Sequence, residues 1–275
     1  MKLLRTSFIC ISMLAVYAGA AAEDNRMHVP FSDPTRVGEV HVSIVRGNIT
    51  VTGKDVKEVA VVVRGRGEDA SSSDTREAAE GAGLHRLPQQ PSLSIEEQNN
   101  VMSISSNGFS KAADLSIEVP LRTRLKLSTV NDGDIHVEGV DGELEIGNVN
   151  GSISVTSVSG SVLAHTVNGK ILARLARVTP QKAMAFTSLN GSVEVTLPAS
   201  ISANMKLRTD NGNVLTDFDL KMLPQAPSAL IEDSRQSGGR YRIEMNKFIY
   251  GAVNGGGPDI EVRTFNGNVY VRKGS

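Results

Sequence analysis

Residues 132–176 read DGDIHVEGV, DGELEIGNV, NGSISVTSV, SGSVLAHTV and NGKILARLA when they are divided every nine residues. Each nonapeptide opens with Asp, Asn or Ser followed by Gly, and these residues are typical of tight turns. Apolar residues, mostly Val, Ile and Leu, then alternate with polar ones, as in half-buried strands. An unbroken repeat of one strand and one turn predicts a β-solenoid, in which each repeat stacks on its neighbours.

The spacing of the turn glycines indicates how many strands make one coil. A single nonapeptide cannot surround a core, because strands rise about 3.3 Å per residue and facing sheets lie about 10 Å apart. From Gly169 to Gly191 and on to Gly212 the spacing is 22 and 21 residues, close to two nonapeptides. We therefore expect roughly two strands per coil, although a three-sided coil of 27 residues stays open. The predicted turn glycines are Gly133, Gly142, Gly151, Gly160, Gly169, Gly191, Gly212 and Gly267.

The predicted fold is all-β: a single-stranded parallel β-solenoid, similar to a β-helix. It occupies residues 119–275, with an insertion at about 217–240. Residues 23–118 form an N-terminal β region and cap, which contains a loop or helix insertion at 64–91. Within that insertion, Asp74 has the residue type and spacing to cap a short helix.

The two ends of such a stack would expose unpaired strand edges, which tend to associate with other chains. We expect residues from the 23–91 region and from the 220–239 segment to cover these ends.

Residues 1–22 have the organisation of a secretory signal peptide. Lys2 and Arg5 give a basic start, an apolar run follows from Phe8 to Val16, and small residues lead to Ala22. The sequence predicts cleavage near Ala22. The apolar run is shorter than the roughly 20 residues of a membrane-spanning helix, and an uncleaved N-terminal anchor is the alternative.

Composition excludes several classes of function. The one cysteine, Cys10, lies in the predicted signal peptide, so the exported chain has no disulfide, catalytic thiol or cysteine metal site. The chain has 29 Lys and Arg against 30 Asp and Glu, and loss of Lys2 and Arg5 would leave 27 basic residues and a net charge of −3. Such a balance does not attract nucleic acid.

The residues with potential for chemistry do not form a known catalytic or metal motif. The sequence has no nucleophile elbow, P-loop or dinucleotide fingerprint. His136 and His165 occupy outward positions and could approach each other across coils, but a metal site needs three or four ligands. We predict no catalytic, cofactor or metal site, and we interpret the acidic residues as a solvated face rather than a calcium site. These acidic residues are Asp132, Asp134, Glu138, Asp141, Glu143 and Glu145.

Two similar segments carry rows of basic residues. One row contains Arg122, Arg124 and Lys126, and the other contains Lys206 and Arg208. If the two segments stack one or more coils apart, the rows share a face that could bind an anionic polymer such as a surface glycan or a teichoic-type phosphate. The alternative, which we favour, is a charged outer face that resists aggregation.

Several motifs resemble the DUF4097 family. They are VPL at 119–121, LKLSTVNDGDI at 125–135, the successive nonapeptides, and T-x-N-G-x-V at 209–214 and 264–269. The resemblance covers roughly residues 37–272, and the insertions at 64–91 and 217–240 depart from the pattern. It implies a β-solenoid of a bacterial exported protein in the cell envelope. The family's members are named as candidate adhesins, some relatives are linked to envelope-stress signalling, and no agreed catalytic residues exist to carry over.

The sequence and the resemblance together favour a non-enzymatic, exported binding or structural module, located in the periplasm or at the cell surface. Its partners would be an envelope protein or a surface polysaccharide, with peripheral membrane association as an option. One alternative is an envelope-stress sensor or regulatory ectodomain that binds a membrane protein. Another is a polysaccharide-acting enzyme on a β-helix, although the absence of Trp removes the usual sugar platform. The oligomeric state cannot be predicted.

The predicted alternation gives a test of register. We expect Val155→Asp to disrupt the stack because it places a charge between coils. Ser154→Asp, one residue away and outward, should leave stability nearly unchanged. Equal melting temperatures of the two variants would contradict the assigned register.

Overall fold

The computed structural model describes residues 26–65, 93–106, 112–179, 182–223, 230–233, 239, 241–244 and 248–274. Within these ranges the protein contains β-strands and no helix. The predicted signal peptide, the helix cap at Asp74 and most of the 64–91 insertion lie outside the described residues. The strands are β1 (Arg26–Pro30), β2 (Gly38–Ser43), β3 (Ile49–Lys54), β4 (Glu58–Gly65), β5 (Leu93–Gln98), β6 (Val101–Ser106), β7 (Ala113–Pro120), β8 (Thr123–Thr129), β9 (Ile135–Glu138), β10 (Asp141–Asn150), β11 (Ile153–Asn168), β12 (Ile171–Val178), β13 (Met184–Asn190), β14 (Val193–Pro198), β15 (Ala203–Asn211), β16 (Val214–Thr216), β17 (Lys221–Met222), β18 (Leu230–Asp233), β19 (Tyr241–Glu244), β20 (Ile249–Val253), β21 (Asp259–Asn266) and β22 (Val269–Gly274).

Two ladders of strands form two faces that enclose one core. Strand β11 takes part in both, because its residues 153–160 pair with β12 in one ladder and its residues 159–168 pair with β10 in the other. Face A has the order β5, β6, β2, β8, β10, β11 (159–168), β13, β21, β15, β20 and β17. Face B has the order β1, β4, β7, β3, β9, β11 (153–158), β12, β14, β22 and β16.

The strand register shows that one coil is two strands. Gly142 pairs with Gly160 in face A, and Ile135 pairs with Ile153 in face B, so neighbouring coils are offset by two nonapeptides. The all-β parallel solenoid with two strands per coil is therefore confirmed, and the 27-residue coil is wrong. Each coil is one layer with a strand in each face. The layers are layer 1 (101–106 and 113–120), layer 2 (38–54), layer 3 (123–138), layer 4 (141–158), layer 5 (159–178), layer 6 (184–198), layer 7 (259–274) and layer 8 (203–216).

The spatial order of the layers differs from the order of the sequence at two places. Layer 2, from the N-terminal region, lies between layers 1 and 3. Layer 7, the C-terminal end of the chain, lies between layers 6 and 8. The expectation that Gly191 and Gly212 belong to adjacent coils is therefore wrong, because Gly267 lies between them. Layer 2 pairs with layer 3 across the predicted domain boundary at residue 118, and the boundary itself stays a prediction.

Antiparallel strands lie at both ends of the parallel stack. At one end β4 pairs with β7, β1 pairs with β4, and β5 pairs with β6. At the other end β20 pairs with β15, and β17 pairs with β20. Strands β1, β4 and β17 come from the segments that the sequence indicated as covers, so antiparallel pairing occupies backbone groups that would otherwise be exposed.

The core consists of aliphatic side chains from alternate positions of both faces. Val155 is fully buried and Ser154 points outward, in agreement with the predicted register. The third apolar residue of each nonapeptide, which is its ninth residue, differs in burial between the two faces. Val140 and Val158 of face B are buried, whereas Val149 and Val167 of face A are exposed. In face A the third apolar residue therefore lies outside the core, and in face B it is buried at Val140 and Val158 but exposed at Ala176.

Stacked glycines form one corner of the solenoid, between the face A strand and the face B strand of layers 2 to 8. A β-carbon on Gly169 would lie 2.0 Å from the carbonyl oxygen of Gly151, and one on Gly191 would lie 2.0 Å from that of Gly169. Backbone cannot move aside as a flexible side chain can. Close approach between layers, rather than turn geometry alone, therefore requires glycine here.

An asparagine ladder runs along the same corner, parallel to the stack. Its side chains are joined by amide-to-amide hydrogen bonds in which Nδ2 of one residue donates to Oδ1 of the next, at 2.7–2.9 Å. Each bond joins two neighbouring layers, so the ladder fixes the layers in register. The ladder contains Asn131, Asn150, Asn168, Asn190, Asn266 and Asn211, in spatial order.

A second polar row lies inside the corner and satisfies the glycine carbonyls. Thr166 Oγ1 donates to the Gly151 carbonyl at 2.9 Å, and Ser188, Thr264 and Thr209 make the same contact one layer apart. In layer 4 the position is Asn148, whose Nδ2 donates to the Gly133 carbonyl at 2.9 Å. The Asn148 Oδ1 atom is buried without a hydrogen-bond partner. Asn148 thus carries a cost that the hydroxyl residues avoid.

Replacement of Asn148 by a hydroxyl residue should stabilise the protein. We expect Asn148→Thr to raise the free energy of unfolding by about 1 kcal/mol, because it removes a buried unsatisfied acceptor and keeps a donor for the Gly133 carbonyl. Asn148→Ala, which removes the donor as well, should lower it by about 1–3 kcal/mol. Urea unfolding compares the three proteins, and a Thr variant no more stable than the Ala variant would contradict this account.

Candidate functional site

The five basic residues singled out in the sequence lie on or beside face A. Arg124 and Lys126 belong to β8, Lys206 and Arg208 belong to β15, and Arg122 lies in the turn before β8. Four face A strands separate β8 from β15, so the rows lie about 24 Å apart at about 4.8 Å per strand. The rows share a face, but they do not form one basic patch. Whether either row binds a ligand stays a prediction.

Carboxylates accompany four of these basic side chains. Lys126 Nζ lies 3.1 Å from Glu145, and Arg124 Nε lies 4.0 Å from Glu143, both on the adjacent strand. In the other row, Lys206 lies 2.6 Å from Asp259 of the adjacent strand β21, and Arg208 lies 3.0 Å from Asp210 of its own strand. The charge of each row is therefore partly neutralised, and an anionic polymer would compete with these carboxylates.

Two carboxyl groups beside the basic rows have a pKa below the usual range. A hydrogen bond from Lys182 lowers the pKa of Glu143, and a hydrogen bond from Lys206 lowers the pKa of Asp259. The same bond to Asp259 raises the pKa of Lys206. These groups remain charged over the neutral range, so face A presents fixed, paired charges.

An apolar stripe crosses face A beside the asparagine ladder. The strand registers place one exposed apolar side chain in each of layers 3 to 7, immediately before the ladder asparagine of the layer. Leu189 and Phe265 are the most exposed members, at 46% and 48%. Five aligned apolar residues on an outer face are more than the scattered exposed residues of a typical surface. The stripe consists of Val130, Val149, Val167, Leu189 and Phe265.

Aromatic rings lie at the layer 8 end of face A. The Arg208 guanidinium lies 5.4 Å from the centre of the Phe248 ring, and the Phe248 and Tyr250 ring centres are 5.8 Å apart. Tyr250 pairs in register with Lys206 on β15. The second basic row is therefore bounded by aromatic surface. The repeat pattern gives no sign of this contact, because β20 joins the stack only through antiparallel pairing.

The histidines and acidic residues do not converge on a site. His136 lies on β9 in face B and His165 lies on β11 in face A, so the idea that they approach each other is wrong. Glu143 and Glu145 are engaged with Lys182 and Lys126. Among the described residues, no group of three His, Cys, Asp or Glu side chains is placed to hold a metal ion.

An open cleft of about 500 Å³ lies at the opposite corner from the asparagine ladder. Arg177, Thr179, Ile201 and Pro258 contribute to its walls. Arg177 also contacts Asp141 at 3.2 Å, so the cationic group of the cleft is already paired. In the part of the chain that the structure describes, no helix is long and apolar enough to cross a membrane.

The Lys206–Asp259 pair gives a pH-dependent prediction. Because the pKa of Asp259 is lowered in the folded protein, its ionised form stabilises the fold above the ordinary aspartate value of about 3.9 and this contribution is lost as the pH falls through the lowered value. We expect Asp259→Asn to cost at most about 1 kcal/mol at neutral pH, since solvent screens the half-exposed pair, and nothing in strong acid.

Denaturant unfolding at neutral and acidic pH measures this difference. Asp219→Asn is the matched control, because Asp219 is fully exposed and lies 3.7 Å from Lys273. A cost of Asp259→Asn that persists unchanged in acid would contradict the assignment.

Three crystal structures are similar to this chain at low identity. A candidate cell adhesion protein from Clostridium sporogenes is 12% identical, with 90% of this chain and 99% of that chain covered and a TM-score of 0.44. A candidate adhesin from Bacteroides fragilis is 11% identical, with 90% and 95% covered and a TM-score of 0.32. A candidate adhesin from Parabacteroides merdae is 8% identical, with 91% and 95% covered and a TM-score of 0.29.

No curated protein matches this chain. The family model described as Toastrack DUF4097 matches residues 20–272, which is nearly the whole chain. The resemblance inferred from the repeat residues is confirmed, and the chain belongs to the DUF4097 family.

Proposed function

We propose that this protein is a non-enzymatic binding module of the bacterial cell envelope and that face A is its contact surface. The observation that carries the proposal is the apolar stripe of face A. Exposed apolar side chains that line up across a surface are characteristic of interaction sites, because burial of that surface against a partner is favourable. The predicted signal peptide at residues 1–22 would deliver the chain to the envelope.

The shape of the stripe indicates the shape of the ligand. Its five side chains lie in consecutive layers, so the stripe is about 19 Å long at about 4.8 Å per layer. The amides of the asparagine ladder follow it on one side. A long, narrow surface with an apolar row and a parallel polar row suits an extended protein segment or a glycan chain better than a compact small molecule.

Two other functions would use the same fold differently. A sensor or regulatory ectodomain would bind one membrane protein through face A. A polysaccharide-acting enzyme would shorten a glycan that it binds. The aromatic pair Phe248 and Tyr250 favours contact with sugar rings over contact with free phosphate. It does not favour cleavage over binding.

A pull-down with residues 23–275 distinguishes these functions. Envelope fractions are separated into protein and polysaccharide before they are applied. Retention on polysaccharide without shortening supports a binding module, whereas release of shorter polymer supports the enzyme. Capture of a single membrane protein supports the regulatory ectodomain.

The stripe predicts which variants lose retention. We expect Leu189→Ser with Phe265→Ser to reduce binding about tenfold or more, because two half-exposed apolar side chains would no longer be buried against the ligand. Leu215→Ser is the matched control: Leu215 is 47% exposed, as Leu189 is 46% exposed, but it lies on face B. Equal losses for the two proteins, or no loss in either, would contradict face A as the contact surface.

A further inference from the structure

The asparagine ladder contains a chemical asymmetry between its interior and its end. Five of its six residues are followed directly by glycine. An Asn-Gly sequence is intrinsically reactive, because the glycine amide nitrogen can attack the asparagine side chain and glycine offers no β-carbon to hinder it. These five sequences begin at Asn150, Asn168, Asn190, Asn266 and Asn211.

Four of the five glycine amides are occupied. Each donates its N–H to the carbonyl oxygen of the ladder asparagine in the next layer. Gly151 donates to Asn168 at 2.9 Å and Gly169 donates to Asn190 at 2.9 Å. Gly191 donates to Asn266 at 2.9 Å and Gly267 donates to Asn211 at 3.0 Å. The attacking nitrogen of every interior corner must therefore first leave a backbone hydrogen bond.

The corner at Asn211 lies at the end of the ladder. It belongs to layer 8, and no further layer stacks beyond this corner within the described ranges. The interior pattern directs the glycine N–H toward the next layer, and for Gly212 the described residues provide no backbone acceptor there. Both Asn211 and Gly212 are exposed to solvent.

The Asn211 side chain is also held on one side only. Its Nδ2 donates to Asn266 Oδ1 at 2.7 Å. An interior residue such as Asn168 both donates to Asn150 and accepts from Asn190. No residue in the described part of the chain donates to Asn211 Oδ1 as Asn190 does to Asn168. Fewer bonds therefore oppose the rotation that brings the Asn211 side chain to the Gly212 nitrogen.

We propose that Asn211 is a site of spontaneous deamidation, and that stacking protects the other four Asn-Gly sequences of the ladder. Water takes the proton of the Gly212 amide, whose nitrogen then bonds to Cγ of Asn211. The bond from Cγ to Nδ2 breaks, and ammonia leaves with the proton. The resulting five-membered imide reacts with one water molecule and opens to aspartate or isoaspartate. No oxidation or reduction takes place.

This reaction alters the end of the stack. The product has a carboxylate in place of an amide, so the last donor of the ladder, to Asn266 Oδ1, is lost. The new negative charge lies next to Asp210 in the chain, and like charges at this distance repel. The isoaspartate form also lengthens the backbone within the corner. Conversion therefore weakens the attachment of layer 8 and leaves the interior layers unaltered.

The chain contains two other Asn-Gly sequences, which lie outside the ladder. Asn254 precedes Gly255 in the turn before β21, and its Nδ2 donates to the carbonyls of Ala199 and Ile201. These two bonds hold its side chain, so we expect it to react more slowly than Asn211. Asn107 precedes Gly108 outside the described residues, so its rate does not enter the comparison.

Peptide mapping by mass spectrometry tests the proposal. Residues 23–275 are incubated in folded form at mildly alkaline pH, and the acid product is measured at each corner over time. We expect Asn211 to convert about ten times faster than the four interior asparagines, because each of these must first release one backbone hydrogen bond. If an interior corner converts as fast as Asn211 in the folded protein, the proposal is wrong.

An unfolded control separates the effect of stacking from that of sequence. In denaturant all five corners should convert at similar rates, because the layers no longer exist. If Asn211 remains the fastest by the same factor in denaturant, local sequence determines the rate and the role assigned to the ladder is wrong. Asn211→Gln confirms the assignment of the product, since this variant should lose the fast conversion while the other peptides are unchanged.

Discussion

Layers 2 to 8 of this solenoid depend on the contact between stacked corners, where the glycine of one layer lies directly against the glycine carbonyl of the next. A β-carbon at Gly151, Gly169 or Gly212 would lie 2.0 Å from that oxygen, a distance that no side chain tolerates. Once the backbones are this close, the asparagine amides on the outer side and the hydroxyl groups on the inner side can each reach a neighbouring layer. Close backbone contact is thus the condition for both polar rows.

The same corner explains how distant parts of the chain enter one stack. Layers 2 to 8 share this glycine contact, so strand pairs from distant parts of the chain can stack beside one another. Residues 38–54 enter between layers 1 and 3, and residues 259–274 enter between layers 6 and 8. Such insertions join the two ends of the sequence to the interior by long-range pairing. Long-range pairing slows folding, because loop closure must precede the contacts that stabilise it.

Local features of the chain could be predicted from the sequence, and the order of layers could not. The nonapeptide indicates turn and strand positions through residue type, which is why the two-strand coil was predictable. The glycine corner has the same signature in every layer, however, so it carries no information on which layers are neighbours. The spacing of 21 residues from Gly191 to Gly212 imitates one coil, although Gly267 lies between them.

The sequence does not show whether the third apolar residue of a nonapeptide points into the core, because this depends on backbone angles that only the structure gives. In face B, positive φ angles at Gly139 and Ser157 interrupt the alternation, and Val140 and Val158 turn inward. The candidate site was only partly predictable for the same reason. Its basic rows were assigned to a common face, but their distance depends on layer order, and the stripe depends on the uninterrupted face A strands.

The inserted layer 7 links the topology to the candidate surface. In the column of the stripe, Leu189 of layer 6 is followed by Phe265 of layer 7 and then by Asp210 of layer 8. If layers followed the sequence, Asp210 would lie beside Leu189 and the apolar row would end there. Insertion of the C-terminal strands therefore adds Phe265, the most exposed residue of the stripe. It also places Asp210 one layer further from Leu189. The same insertion places Asp259 beside Lys206, so the same strand that extends the apolar row pairs with one cation of the second basic row. The C-terminal segment thus both lengthens the apolar stripe and pairs the charge of Lys206.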